Sequence, residues 1–452
     1  MALTAGHVEK LRAEFSGPLV TPDDSEYDEL RRIHNGLVDK RPALIARCST
    51  PADAAAAVRW GRESELEISV RGGGHNVAGK AVTDGGVMID LSLMRKTQID
   101  PDARTITAGG GVTWGELNQA AYDHGLATTG GVVSTTGIAG LTLGGGVGWI
   151  MGKHGMAVDN LISAEVVLAS ADMVTASELS EPDLFWAIRG GGGNFGVVTS
   201  FEYRAYPLRT VIGGIAAHPL PAAPEVFHFY RDLTGPVSDD LTVFLALGHA
   251  PDGSGRKVCS LLVCHAGDDQ EKAEHDVKMV HEFGPPVLDM IQRMPYPILN
   301  TLIDKGYPRG GFNYWKSAFL TKLSEEAVVK MIEAFENSPT TNCTLLVEHF
   351  HGAVTRVDPR STAFPHRRPG YNFTILSQWT DPTQTAAGIR WARETFDSLR
   401  PHTADSAYVN YLDADDASRI RAAYGPNYDR LVELKRRYDP DNLFRLNQNI
   451  VP

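Results

Sequence analysis

The amino-acid sequence predicts an α+β chain folded as more than one packed unit, and three observations carry that expectation. Its 452 residues exceed what one hydrophobic core usually organises. Helix-like and strand-like segments alternate through the early part of the chain, where the glycine clusters at 72–74, 109–111, 130–148 and 190–196 also lie. Near residue 207 the texture changes: prolines stand at 207, 219, 221 and 224, glycine clusters thin out, and longer amphipathic segments such as 324–337 take over. A domain boundary is expected there.

Each element has a local reason. Thr50 and Pro51 open an alanine-rich helix over residues 51–65, Pro51 suiting the first turn. Leu66, Ile68 and Val70 then alternate as in a half-buried strand, which runs directly into Arg71-Gly72-Gly73-Gly74-His75-Asn76. Residues 87–91 and 105–108 read as strands, and 114–124 as a helix closed by Gly125. Residues 371–379 (YNFTILSQW) read as a strand with Asn372, Thr374, Leu376 and Gln378 on one face. Toward the end, 408–413 reads as a strand, 418–425 and 428–438 as helices, and the rest as irregular.

Composition excludes several classes. Hydrophobic and charged fractions of 42% and 22% are those of a soluble globular protein. A net charge of −12 works against nucleic acid and anionic lipid as partners. Residues 1–15 are amphipathic without the apolar core of a signal peptide, and no apolar run reaches spanning length, so a cytoplasmic location is expected. Cys48, Cys259, Cys264 and Cys343 are too few and too irregularly spaced for a disulfide framework or a zinc site and read as buried thiols. His349 and His351 share a strand face, but no third ligand accompanies them, so no metal is expected.

The motifs that carry chemistry are the glycine runs. Gly72 to Gly74 let successive amides approach a ligand, and such concave runs of N–H groups bind phosphate. Taken alone, this run better suits a glycine-rich turn beside a solvated histidine, and its context reverses that preference. Residues 130–148 (GGVVSTTGIAGLTLGGGVG) supply the kind of surface on which a cofactor lies against main chain. Residues 191–196 match G-x-G-x-x-G but lead into a strand, whereas the dinucleotide fingerprint opens a helix. Gly152-Lys153-His154 lacks the other residues of an ATP phosphate loop.

With these motifs in order, RGGGH, GGVVSTTGIAGLTLGGGVGW, DLFWAIRGGGGNFGVVTSFEY, YVNYLD and YDPDNLFRLNQNI, the chain resembles the berberine bridge enzyme-like family of FAD-linked oxidoreductases in the vanillyl-alcohol oxidase superfamily. The resemblance is clear over residues 41–207 and 406–452. It implies a two-domain PCMH-type FAD-binding fold: residues 1–207 and 406–452 hold FAD, and residues 208–405 form a substrate domain on an antiparallel sheet backed by helices. It implies a single 8α-histidyl link from FAD to His75, because Val133 stands where many members carry a second, cysteinyl tether. Leu141 replaces a histidine that many such members have near the flavin, and Thr136 matches the position tied to oxygen access. The resemblance also places Arg71, Gly72, Gly73, Gly74, Asn76, Gly79, Gly130, Gly131, Gly137, Gly140, Gly145, Gly196, Val198, Asn410, Asn447 and Asn449 among the cofactor contacts.

For the reaction, the resemblance points to Tyr411 as general base and to Asn372, Thr374 and Gln378 as substrate-facing. Some relatives carry a glutamate at or near Asn372, so a carboxylate base is expected to be missing and the load to fall on Tyr411. A phenol titrates near pH ~10 in water, so its anion needs a stabilising partner that the sequence does not identify. The expected activity is hydride transfer from a substrate C–H next to a hydroxyl to flavin N5, with molecular oxygen as reoxidant and hydrogen peroxide as product. The alternatives are a dehydrogenase or oxidative tailoring enzyme with slow oxygen reaction, a flavin-binding protein without turnover, and a nicotinamide enzyme using the 191–196 glycines. The small-molecule substrate is unspecified, sugars, alcohols, phenols and other metabolites all being open, as is the oligomeric state.

Overall fold

A computed structural model describes residues 5–235, 237–320 and 322–452. The amphipathic stretch expected over residues 1–15 is a helix over Ala5–Arg12, residues 1–4 lying outside the described residues. Thr50 caps the helix Pro51–Glu63 as its residue types predict: its hydroxyl accepts from the Asp53 amide at 3.1 Å, and the Asp53 carboxylate accepts from the amides of Ser49 and Thr50 at 2.8 and 3.0 Å. Such a reciprocal cap is worth about 1 kcal/mol. The helix covers a four-stranded sheet in which Leu44–Arg47, Val87–Asp90 and Ile68–Arg71 run parallel, with Leu19–Val20 antiparallel at the edge. Beside it lies a five-stranded antiparallel sheet in the order Thr97–Asp100, Thr105–Gly109, Val197–Arg204, Leu161–Val167, Met173–Ser177. The helix Trp114–Asp123 ends at His124, and Gly125 follows with φ +72°.

A two-stranded pair joins Leu126–Ala127 to Tyr206–Pro207, and the fourth sheet is antiparallel and far larger. Thr210–Pro219, Lys257–His265, Leu241–His249, Thr344–Phe350, Gly370–Trp379 and Phe312–Leu320 lie side by side in that order, with two short strands pairing onto Thr210–Pro219. Side chains alternate across it. One face carries Leu245, Leu261, Val347, Phe373 and Ile375 against the helices Ala223–Thr234, Gln270–Glu282, Glu325–Glu336 and Thr385–Leu399. The other carries Phe244, Leu262, Leu346, Phe350 and Leu376 toward the rest of the molecule. Cys259 and Cys264 fall on opposite faces, as five-residue spacing in a strand requires. No helix among the described residues is long and apolar enough to cross a membrane.

One expected strand is absent. Residues 409–411 form a 3₁₀ turn, closed by the Tyr411 amide donating to Tyr408 O at 3.0 Å. Side-chain bonds supply the pairing that a ladder would have given. Asn410 Nδ2 donates to Leu141 O at 3.0 Å and to the Tyr408 hydroxyl at 2.8 Å, and that hydroxyl also accepts from the Gly146 amide at 2.8 Å. A strand would have pointed alternate residues away; the turn sets Tyr408, Val409, Asn410 and Tyr411 all against one cavity.

Candidate active site

That cavity lies between the glycine loops and the inner face of the large sheet. At the loop end, Gly72, Gly73, Gly74, His75 and Asn76 meet Thr136, Gly137, Gly140 and Leu141, with Gly196 and Val198 beneath and Asn447 opposite. The closeness of the loops depends on glycine at Gly73, where a Cβ would stand 2.3 Å from Gly137 N, and at Gly74, where φ is +71°. Among the described residues, the amides of Gly73, Gly74 and His75 have no acceptor, and Gly140 and Gly193 face open space. A row of unpaired N–H groups at the end of a strand is a cradle for phosphate oxygens.

The loop is held from behind. Arg71 pairs with Asp90 through two hydrogen bonds of 3.0 and 2.6 Å, and its remaining nitrogen donates to Leu30 O and Arg32 O. Arg71 therefore anchors the strand end and does not line the cavity. His75 projects from the loop: Nε2 lies 2.9 Å from the Thr135 hydroxyl, Nδ1 lies 3.4 Å from that of Thr136, and the ring stacks on His34 with centroids 4.0 Å apart. Burial, then the neighbouring His34 and the Arg309 charge, pull the His75 pKa down to about 3, so the imidazole is neutral.

The other expected contacts divide. Val133 and Asn410 line the cavity with those already named, whereas Gly79, Gly130, Gly131, Gly145 and Asn449 do not. Gly130 lies against the Trp114 ring, Gly79 against Val38, and Gly145 against Phe364, each where a Cβ would collide. Gly131 O instead accepts from Asn300 Nδ2 at 2.6 Å. These glycines serve packing beneath the surface.

At the sheet end, Tyr307, Trp315, Leu346, Leu376 and Tyr411 form the lining. Trp315 meets Tyr307 and Tyr411 edge-on, at 6.3 and 5.9 Å between centroids. The Tyr411 hydroxyl donates to Glu348 Oε1 at 2.9 Å. The second oxygen of Glu348 accepts from Asn372 Nδ2 at 2.7 Å, and Asn372 Oδ1 accepts from the Ser317 hydroxyl at 3.1 Å. Thus the expectation that no carboxylate stands at the site does not hold. Glu348 sits opposite Asn372 on the adjacent strand, fully buried, and burial raises its pKa to about 7 against the lowering effect of its two donors. Tyr411 is pushed well above the ordinary phenol range, by burial first and by Glu348 next. A free phenolate is therefore disfavoured here, and the Tyr411 hydroxyl is a proton donor to a carboxylate.

Asn372, Thr374 and Gln378 are buried and lie outside the cavity lining; Asn372 orients Glu348. His349 and His351, buried with rings stacked at 4.8 Å, point away from this cavity, since they alternate with Glu348 and Phe350. The residue that sequence reasoning missed is Glu348. Its signal was a lone acid following the apolar run Leu345–Val347 within the strand Thr344–Phe350, where a buried ionisable group needs partners.

Comparison with known proteins identifies relatives over nearly the whole chain. A family model described as FAD binding domain matches residues 42–177, and one described as berberine and berberine like matches residues 407–451. The chain is 32% identical to (R)-6-hydroxynicotine oxidase of Paenarthrobacter nicotinovorans over 97% of both proteins. It is 31% identical to the FAD-linked oxidoreductase YgaK of Bacillus subtilis over 98% of both. The crystal structure of 6-hydroxy-D-nicotine oxidase from Arthrobacter nicotinovorans superimposes with a TM-score of 0.88 at 30% identity, covering 97% of this chain and 98% of that one. A berberine bridge enzyme-like protein from Physcomitrella patens shares the fold at 23% identity, with a TM-score of 0.89 over 98% of this chain and 99% of that one.

Proposed function

Because the chain belongs to the berberine bridge enzyme-like family of FAD-linked oxidoreductases, we propose that it oxidises a small ring compound at a carbon bonded to a proton-bearing heteroatom. The observation that carries this reading is the cavity-facing Tyr411 hydroxyl bonded to buried Glu348.

The residues present fit FAD. The unpaired amides of Gly73, Gly74 and His75 suit the pyrophosphate, the open faces of Gly140 and Gly193 leave room against main chain, and the neutral imidazole of His75 retains a lone pair for attachment. What FAD supplies when bound is a two-electron acceptor for the hydride that leaves the substrate carbon. The chain supplies the proton path. As the heteroatom proton reaches the Tyr411 oxygen, the proton of Tyr411 passes to Glu348 Oε1, 2.9 Å away. Tyr411 acts as a relay, and the carboxylate with a pKa of about 7 is where the proton rests.

The lining favours some substrates over others. At this end the walls are aromatic or aliphatic, and their side chains carry few polar groups: the Tyr307 and Tyr411 hydroxyls and the Trp315 indole N–H. A sugar would leave several hydroxyls unpaired, at about 1–3 kcal/mol each, whereas a ring with one ionisable O–H or N–H loses little. Molecular oxygen completes the cycle, giving hydrogen peroxide.

The test is anaerobic titration of the purified yellow protein with cyclic alcohols, phenols, cyclic amines and sugars. Bleaching by ring compounds, with peroxide released on admitting air, is expected; bleaching by sugars in preference would overturn the substrate reading. Acid precipitation reports on His75: yellow colour should stay with the precipitated chain, and its full release would refute attachment.

A further inference from the structure

The imidazole of His34 is a group the reaction does not use, and it is built in with unusual care. The residue is 6% exposed, its Nε2 has no hydrogen-bond partner among the described residues, and its ring stacks on His75 at 4.0 Å and 20° between planes. Both flanks are tied down. The His34 amide donates to Gly74 O at 3.0 Å, within the glycine loop, and His34 O accepts from the Gly310 amide at 2.9 Å. Next to it, Asn35 Nδ2 donates to Val77 O and Asn313 O at 2.8 and 2.9 Å, while its oxygen accepts from the Asn313 amide at 3.0 Å. Gly36 passes so close to Gly310 that a Cβ would meet its carbonyl at 2.2 Å. The segment bearing His34 is thus clamped between the glycine loop and residues 310–313.

We propose that His34 is the positioning residue for flavin attachment, its stacked ring fixing the plane of the His75 imidazole and excluding the water that would favour protonation. The inference rests on the attachment reading given above. Bond formation at His75 needs a ring nitrogen with a free lone pair. Two imidazolium rings cannot share a stack at this distance with one of them buried, and the Arg309 charge opposes protonation of either. Among the described residues the hydrogen-bond partners of the His75 ring are the neutral hydroxyls of Thr135 and Thr136, and Lys80 is a further cation lining the same cavity. In the step itself, a bond forms from an imidazole nitrogen of His75 to the 8α carbon of the flavin. One C–H bond there and the imidazole N–H break, and the two protons and two electrons released pass to dioxygen as hydrogen peroxide.

The experiment uses the full-length chain produced under riboflavin limitation and then supplied with FAD at pH 5.5 and pH 8. Samples are quenched in acid, and flavin retained in the precipitated chain is followed over time. Wild type should attach flavin at similar rates at both values. His34→Ala should be slower at both and fall by a further factor of up to about ten at pH 5.5, as His75 returns toward the pKa of ~6.5 of a free imidazole. His34→Phe, which keeps an aromatic stack and the burial, should restore the wild-type rate and its flat pH response. His34→Ala attaching flavin like wild type at both pH values overturns the proposal, as does His34→Phe failing to rescue a folded protein that binds FAD. Wild-type protein with no retained flavin at any time would instead overturn the attachment reading on which it depends, and the proposal with it.

Discussion

Replacing Glu348 with Gln should slow the reaction and stabilise the protein, the second effect depending on pH. A pKa of about 7 in the fold, against 4.5 for an unburied glutamate, means that ionising this group in the protein costs more than ionising it in the unfolded chain. At ~1.4 kcal/mol per tenfold change, the difference is about 3 kcal/mol. The sign follows from where each state gives up its proton. Below the unfolded pKa both states are protonated and nothing is lost. Stability then falls as pH rises toward 7, and the full cost stands above it. Glutamine removes that cost, while one of the two hydrogen bonds from Asn372 and Tyr411 weakens, at about 1 kcal/mol. A net gain of about 2 kcal/mol at pH 8.5 is therefore expected, with none at pH 4.5. Urea unfolding of the flavin-loaded protein at the two pH values measures it. Stopped-flow reduction by substrate at pH 8.5 should meanwhile slow by about 10²–10⁴-fold, the usual contribution of a positioned proton acceptor. Equal stability differences at both pH values would show that Glu348 ionises freely. An unchanged reduction rate would show that the proton path ends elsewhere.

Two further outcomes follow from the same structure. Tyr411→Phe should slow flavin reduction by at least about tenfold and move the inflection of the pH–rate profile above 7, because the Tyr411 hydroxyl holds the Glu348 pKa down; an inflection that stays put would rule out the relay. Lys435→Met should destabilise the protein by about 3–5 kcal/mol, since it leaves the fully buried Asp439 carboxylate without the ammonium 2.7 Å away. Urea unfolding reads it, and a loss below about 1 kcal/mol would mean that Asp439 finds other partners.

The parts of the site that were legible in the sequence are those in which backbone conformation dictates residue type. The run Gly72 to Gly74 after an alternating strand announces main chain that approaches a ligand, and Gly125 marks a helix end that needs positive φ. The parts that were not legible depend on which strands become neighbours. Glu348 stands 63 positions from its partner Tyr411 and 24 from Asn372, and only the sheet order makes the three one network. Arg71 looked like a ligand of the cofactor because of its place in the motif, yet its guanidinium is consumed by Asp90. Tyr408 to Asp413 had strand-like residue types, but tertiary bonds from Asn410 and to Tyr408 outweighed that local preference.

The Lys435–Asp439 pair has a consequence for the order of events in the cell. Lys435 Nζ donates to Asn194 O and Phe444 O, Asp439 accepts from the amides of Leu443 and Phe444, and Asn194 holds Gln448 O and the Ile450 amide. These bonds fix the residues from Phe444 to Gln448 that close one wall of the cavity, while the glycine loop and His75 supply the wall opposite. A ribosome releases residues 72–76 long before residues 444–448, so the glycine loop stands beside a half-built cleft until the last part of the chain is made and the Lys435–Asp439 pair can lock that wall in place.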